Sequence, residues 1–203
     1  MNRLKVNMMN EPLNLLPQDG TVFYFGKVIN RLESDVLFER LLNEIHWIRD
    51  EVKLFGKVHV TAREVAWYAD PGLTYTYSGR TKTALPWNSI LLELKQLAEQ
   101  LCGVSFNACL LNLYHDGNEG MGWHSDDEPE LGPAPNIASF SFGAERPFKL
   151  KHKNQALQVE LDLEHGSLLL MAGACQQYWK HMLPKRARIK TARINLTFRK
   201  MGL

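Results

Sequence analysis

The chain has 203 residues, 45 % of them apolar and 23 % charged, with 14 Gly and 9 Pro. That length favours one domain, and the near-average composition excludes disordered, collagenous and coiled-coil classes. The net charge of +2 hides an asymmetry: eight of the 24 basic residues follow Glu164, the last acidic one, so the tail carries +8 and residues 1–164 carry −6. Such a tail suits a polyanionic partner, a solvated basic face being the other reading.

No apolar run approaches the roughly 20 residues that span a bilayer, and residues 1–10 lack the apolar stretch of a secretory signal. Cys102, Cys109 and Cys175 fit neither a disulfide framework nor a Cys-x-x-Cys zinc site. A reducing compartment is expected, cytoplasmic in a bacterium and nuclear in a eukaryote, for a monomer with no membrane contact.

The first expected helix runs over 34–47, with Phe38, Leu41, Leu42 and Ile45 on one face behind a candidate N-cap at Ser34. The second covers 88–102. Its stripe is Leu91, Leu94, Ala98 and Leu101, and Gly103 stands where helices commonly stop. Short apolar or alternating runs at 106–114, 137–142, 148–151, 157–163, 167–171 and 193–199 read as strands. Helices followed by six or more strands predict an α+β fold, a β-sandwich or jelly roll with flanking N-terminal helices.

Four patterns carry chemistry. In Arg193-Ile-Asn-Leu-Thr-Phe-Arg199, Ile194, Leu196 and Phe198 share one strand face, and Arg193, Asn195, Thr197 and Arg199 share the other. If that second face is enclosed, its cations must meet anions. The candidates are the two ends of a small dicarboxylate, or a metal-bound carboxylate and its distal partner. If the face is open, it simply sees water. His124 and Asp126, at i and i+2 on an extended segment, offer two ligands of a facial triad of the kind that leaves positions open on non-haem Fe(II). Spacing does not choose the third ligand between His181 and His165. Asn112 and Tyr114 again share a strand face and could hydrogen-bond a small acid beside a metal.

In this order, Asn-x-Tyr, His-x-Asp, His and Arg-x-Asn-x-Thr-x-Arg resemble the AlkB family of Fe(II)- and 2-oxoglutarate-dependent nucleic acid dealkylases. The resemblance covers 55–199. It is similar to the duplex-DNA-repairing branch through Leu54-Phe-Gly-Lys57, Leu73-Thr-Tyr-Thr-Tyr-Ser-Gly79, Gly122-x-His-Ser-Asp-Asp-Glu128 and Ile137-Ala-Ser-x-Ser-x-Gly143.

The resemblance implies a double-stranded β-helix. Residues 1–104 would carry the N-terminal helices and a nucleotide-recognition region, and 105–203 the catalytic core. It implies that His124, Asp126 and His181 hold Fe(II), and that Arg193, Asn195 and Arg199, assisted by Asn112 and Tyr114, bind 2-oxoglutarate. O2 would be the second co-substrate. Asp127 and Glu128 would face the damaged base, with Tyr75 and Tyr77 on the base-stacking strand. Tyr77 stands where the duplex branch carries phenylalanine. Phe55 would be the wedge that enters the duplex, and Arg63, Lys185, Arg186 and Arg188 would sit on phosphates.

The implied reaction is oxidative demethylation of bases such as 1-methyladenine and 3-methylcytosine in DNA, duplex favoured and single strand allowed. The competing readings are an RNA or protein hydroxylase on the same scaffold, a basic binding module without a working metal site, and a zinc hydrolase, which would have no need for the two-arginine strand.

Overall fold

Enclosure of both faces of one strand sets the architecture. The computed structural model describes residues 12–54, 57–77 and 80–202, without the side chains of 50–59 and 74–83. In chain order the elements are β1 (Thr21–Lys27), α1 (Arg31–Glu44), β2 (Ile48–Leu54), β3 (Lys57–Ala69), β4 (Thr74–Tyr77), β5 (Arg80–Thr83), α2 (Ser89–Cys102), β6 (Ala108–Tyr114), β7 (Met121–His124), β8 (Ile137–Gly143), β9 (Arg146–His152), β10 (Gln158–Leu163), β11 (Ser167–Ala172), α3 (Cys175–Tyr178), β12 (Trp179–Leu183) and β13 (Arg193–Arg199).

A seven-stranded sheet has the order β1-β11-β8-β13-β6-β3-β2, and a four-stranded sheet the order β10-β9-β12-β7; β4 and β5 form a separate hairpin. All pairings among named strands are antiparallel. On the large sheet, Phe140, Phe142, Ile194, Leu196 and Phe198 turn to one side and join Leu41, Leu91 and Leu94 of α1 and α2 in one core. On its other side Val22, Ile137, Leu169 and Met171 meet Phe148, Leu150, Leu163 and Trp179 in a second core between the two sheets. The result is the expected jelly roll, two stacked antiparallel sheets with helices outside the larger one.

Two expectations change. The helix expected at 34–47 is α1, and its cap is Asn30, whose side chain accepts the Glu33 N–H at 3.0 Å. Ser34 is already a turn inside, with its N–H on the Asn30 carbonyl at 2.9 Å. The helix stops before Ile45, which turns extended and is buried. α2 matches its expectation, with Asn88 accepting the Leu91 N–H and Gly103 left-handed at φ 68°. The helices do not simply precede the strands, because β1 to β5 are threaded around them. Three of those strands enter the large sheet, so residue 104 is not a sheet boundary.

Arg146 ties down two loops. The residue is 1 % exposed, and its guanidinium donates to the carbonyls of Asp116 (3.3 Å), Glu119 (2.8 Å) and Pro184 (2.8 Å). Beside it the Arg186 N–H donates to the Gly117 carbonyl at 2.6 Å, and the Gly117 N–H to that of Ile189 at 2.9 Å. A Cβ at Gly117 would overlap the Arg186 carbonyl, so glycine allows the two backbones to touch. Arg146→Met should therefore cost roughly 3 kcal/mol in urea unfolding, since charge-assisted bonds to buried carbonyls are lost. Amide exchange at Gly117 and Arg186 should speed up; unchanged exchange there would mean that the loops hold without Arg146.

Candidate active site

His124 ends β7 and His181 lies directly opposite it on β12. Antiparallel pairing brings the two imidazoles to 4.2 Å between ring centres. Asp126 follows on the extended segment, with Oδ1 3.6 Å from His124 Nε2 and 3.9 Å from His181 Nε2. The donor atoms of the three lie within 4.8 Å of one another.

Their protonation suits a metal. His124 Nδ1 lies 2.8 Å from the Gly122 carbonyl, which can only accept, so Nδ1 donates there and Nε2 is the ring nitrogen turned toward Asp126. Burial pushes the His181 imidazole down to about 4 and keeps it neutral. Burial alone would raise the Asp126 carboxyl, but the Arg199 guanidinium beside it holds it below the usual carboxylate range. Arg199 Nη2 donates to Asp126 Oδ2 at 2.8 Å, which leaves Oδ1 facing the imidazoles. Two imidazoles and one carboxylate oxygen converging on a point fit Fe(II). His165 is elsewhere: it accepts the Gly143 N–H at 2.8 Å and faces Asp35 at 3.0 Å.

The polar face of β13 is enclosed between the sheets. Arg193 is 2 % exposed, bonds to Ser141 Oγ at 2.9 Å and lies 5.5 Å over the Tyr114 ring. Its Nε is buried with no hydrogen-bond partner, and no carboxylate pairs with it among the described residues. Burial lowers its pKa to about 10. A buried cation without an anion is costly, so this position has the chemistry to receive an anion.

Arg193 and Arg199 stand six positions apart, about 20 Å of strand. They therefore reach different points, Arg199 meeting Asp126 and Arg193 lying against Ser141 and Tyr114. Register places Asn195 opposite Asn112, and Arg193 opposite Tyr114. Asn195 Nδ2 donates to Ser139 Oγ (2.8 Å) and the Phe140 carbonyl (2.9 Å), while Asn112 Oδ1 accepts from Arg63 Nε at 3.0 Å.

The metal cluster, Arg63, Asn112, Tyr114, Ser139, Arg193, Asn195 and Arg199 line one cavity of about 410 Å³, whose apolar lining includes Trp67, Leu85 and Leu110. Glu128 lines it as well, whereas Asp127 does not. The Asp127 carboxylate is 68 % exposed and lies 3.8 Å from Lys153 Nζ, so it points away from the position expected of a base-facing acid. Arg63, expected on phosphates, is in the cavity wall against Asn112. Lys185, Arg186 and Arg188 are exposed on the loop after β12, outside the cavity. Phe55 and the side chains of Tyr75 and Tyr77 lie outside the described residues.

Two contributors escaped the sequence reading. Ser141 was within reach, since Ser139 and Ser141 alternate with Phe140 and Phe142 on a strand. Gln176, whose side chain accepts the Asp126 N–H at 2.9 Å, left no signal in its Gln-Gln surroundings.

A family model described as 2OG-Fe(II) oxygenase superfamily matches residues 21–199. The chain is 42 % identical over 194 residues to DNA oxidative demethylase ALKBH2 of Mus musculus, covering 90 % of this chain and 79 % of that one. It is also 42 % identical over 182 residues to alpha-ketoglutarate-dependent dioxygenase alkB homolog 3 of Bos taurus, covering 82 % of this chain and 61 % of the relative. Its fold is similar to the solved structure of OsALKBH1, with a TM-score of 0.60 and 15 % identity over 96 % of this chain and 99 % of the other. Among the described residues no helix is long and apolar enough to cross a membrane. With its triad of His124, Asp126 and His181 for Fe(II) and 2-oxoglutarate as co-substrate, the chain belongs to the AlkB family of the 2OG-Fe(II) oxygenase superfamily.

Proposed function

We propose that this chain removes alkyl groups oxidatively from bases such as 1-methyladenine and 3-methylcytosine in DNA, and that duplex DNA is its preferred substrate. The observation that carries the reading is the buried, anion-seeking Arg193 in the same cavity as the His124, Asp126 and His181 cluster. A hydrolase or a plain binding module has no use for both. The relatives' names supply the substrate class: ALKBH2 of Mus musculus is a DNA oxidative demethylase.

Bound Fe(II), with 2-oxoglutarate and O2, supplies hydroxylation of the N-alkyl carbon with release of succinate and CO2; the hydroxyalkyl group then leaves as an aldehyde. The residues position and insulate this chemistry. Arg199 occupies one oxygen of Asp126, so a single oxygen is presented to the metal. Arg193, steadied by Ser141 behind it, receives the distal carboxylate, and Asn112, Tyr114 and Asn195 complete the polar wall. Trp67, Leu85 and Leu110 keep the other wall dry, which strengthens each electrostatic contact inside. Alkylation at N1 of adenine or N3 of cytosine makes the base cationic, and Glu128 at the cavity wall suits that charge. Outside, Lys185, Arg186 and Arg188 bind phosphates through counterion release, and Tyr75 and Tyr77 stack on the extruded base.

Arg193→Ala should weaken 2-oxoglutarate binding on the order of 10- to 100-fold, the worth of a charge-assisted contact, and leave DNA affinity unchanged. Calorimetric titration with each ligand separates the two, and an equal loss of both would make Arg193 a structural or phosphate-contacting residue.

Succinate and aldehyde release on methylated oligonucleotides tests the reaction and its strand preference together. The native chain should release both with a methylated duplex. Phe55→Ala should depress turnover of the duplex strongly and of the same base in a single strand slightly, because a wedge matters only where a partner strand competes for the base. Equal loss on both substrates would remove Phe55 as the wedge, and no release on either would refute DNA as the substrate.

A further inference from the structure

The metal carboxylate sits just beyond the end of a strand. β7 stops at His124, and residues 125–128 belong to no strand or helix, so the sheet ladder does not fix the backbone of Asp126. Yet Asp126 is 6 % exposed, and a buried N–H left unpaired is costly.

Gln176 supplies the missing partner. It lies on α3, is 2 % exposed, and its Oε1 accepts the Asp126 N–H at 2.9 Å. The amide is itself held, with Nε2 donating to Met171 Sδ at 3.4 Å. A neighbouring contact ties the same segment to the same stretch of chain, Ser125 Oγ donating to the Trp179 carbonyl at 2.8 Å, and Lys153 Nζ holds the Gln176 carbonyl at 2.9 Å. Asp126 is thus gripped from both sides. Arg199 holds one carboxylate oxygen while Gln176 holds the main chain, and the remaining oxygen is left 3.6 Å and 3.9 Å from the two imidazole nitrogens.

We propose that Gln176 is a positioning residue for the metal carboxylate: its side-chain oxygen stands in for a strand partner, fixes the backbone of Asp126, and thereby sets the affinity of the site for a divalent metal. This rests on reading His124, Asp126 and His181 as the Fe(II) site. The groups that hold first ligands in place typically account for 10- to 100-fold in metal affinity.

Mn(II) titrated into the full chain, with the free ion followed by spin resonance, tests this without turnover. The native protein should bind one Mn(II), and His124→Ala should abolish binding; persistence of binding there would overturn the triad reading and this proposal with it. Gln176→Met keeps the bulk but removes the acceptor, and should weaken Mn(II) binding 10- to 100-fold. Gln176→Glu retains an oxygen at that position and should restore most of the affinity. Gln176→Asn, one methylene short of Asp126, should behave like Gln176→Met and serves if that variant does not fold.

A purely structural role would lower the melting temperature and leave the affinity of the folded protein untouched. Gln176→Met or Gln176→Asn binding Mn(II) as tightly as the native chain, whatever its melting temperature, would overturn the proposal. So would an equal loss in Gln176→Met and Gln176→Glu.

Discussion

A buried guanidinium without a carboxylate partner is the constraint on which the rest of this molecule depends. Arg193 lies between two sheets, on the inner face of a strand whose outer face is packed by helices. Desolvating a cation there is unfavourable, and Ser141 Oγ and the face of Tyr114 offset only part of the cost. On the proposed reading the remainder is met when the co-substrate's carboxylate binds, and a carboxylate that binds only the folded chain would stabilise it by mass action. A site of this kind trades stability of the empty protein for affinity toward one class of ligand.

Charge is divided along the same strand. Arg199 faces Asp126 and holds it ionised, while burial keeps His181 neutral and the Gly122 carbonyl fixes the tautomer of His124. His181 and Asp126 therefore present lone pairs before a metal arrives and have no proton to lose when it binds. The small sheet contributes the two imidazoles through the pairing of β7 with β12, and the large sheet contributes the arginines through β13. The cavity exists because the two sheets stack, and neither sheet alone brings anion site and metal site together.

Much of this was legible in the sequence where side-chain period and burial coincide. The alternation of β13 stands out because a greasy face and a cationic face on one strand are readable at period two. α2 was clear from Asn88, its apolar stripe and Gly103. The start of α1 was misplaced because its first turn offers no inward apolar residue; Leu32 is 79 % exposed, and Asn30 and Ser34 are both cap-type residues. β3 was missed because it changes character midway. Its first half carries charges, and 65–69 is buried throughout, so no single period runs along it. β7 and β12, with four and five residues, are too short for a periodic signal.

Site residues set by a local motif survived the comparison better than those set by tertiary direction. His124, Asp126 and His181 meet as the family resemblance implies, and register alone explains the approach of the two histidines. Arg63 and Asp127 went elsewhere, into the cavity wall and toward Lys153, because adjacent residues on an extended segment point to opposite sides and a partner across the fold decides the rest. The most direct measurement is a crystal structure of the chain with Mn(II) and 2-oxoglutarate. The account predicts metal at His124, Asp126 and His181, the distal carboxylate on Arg193, and Arg199 still on Asp126. A distal carboxylate bound by Arg199, with Arg193 left on Ser141 alone, would contradict it.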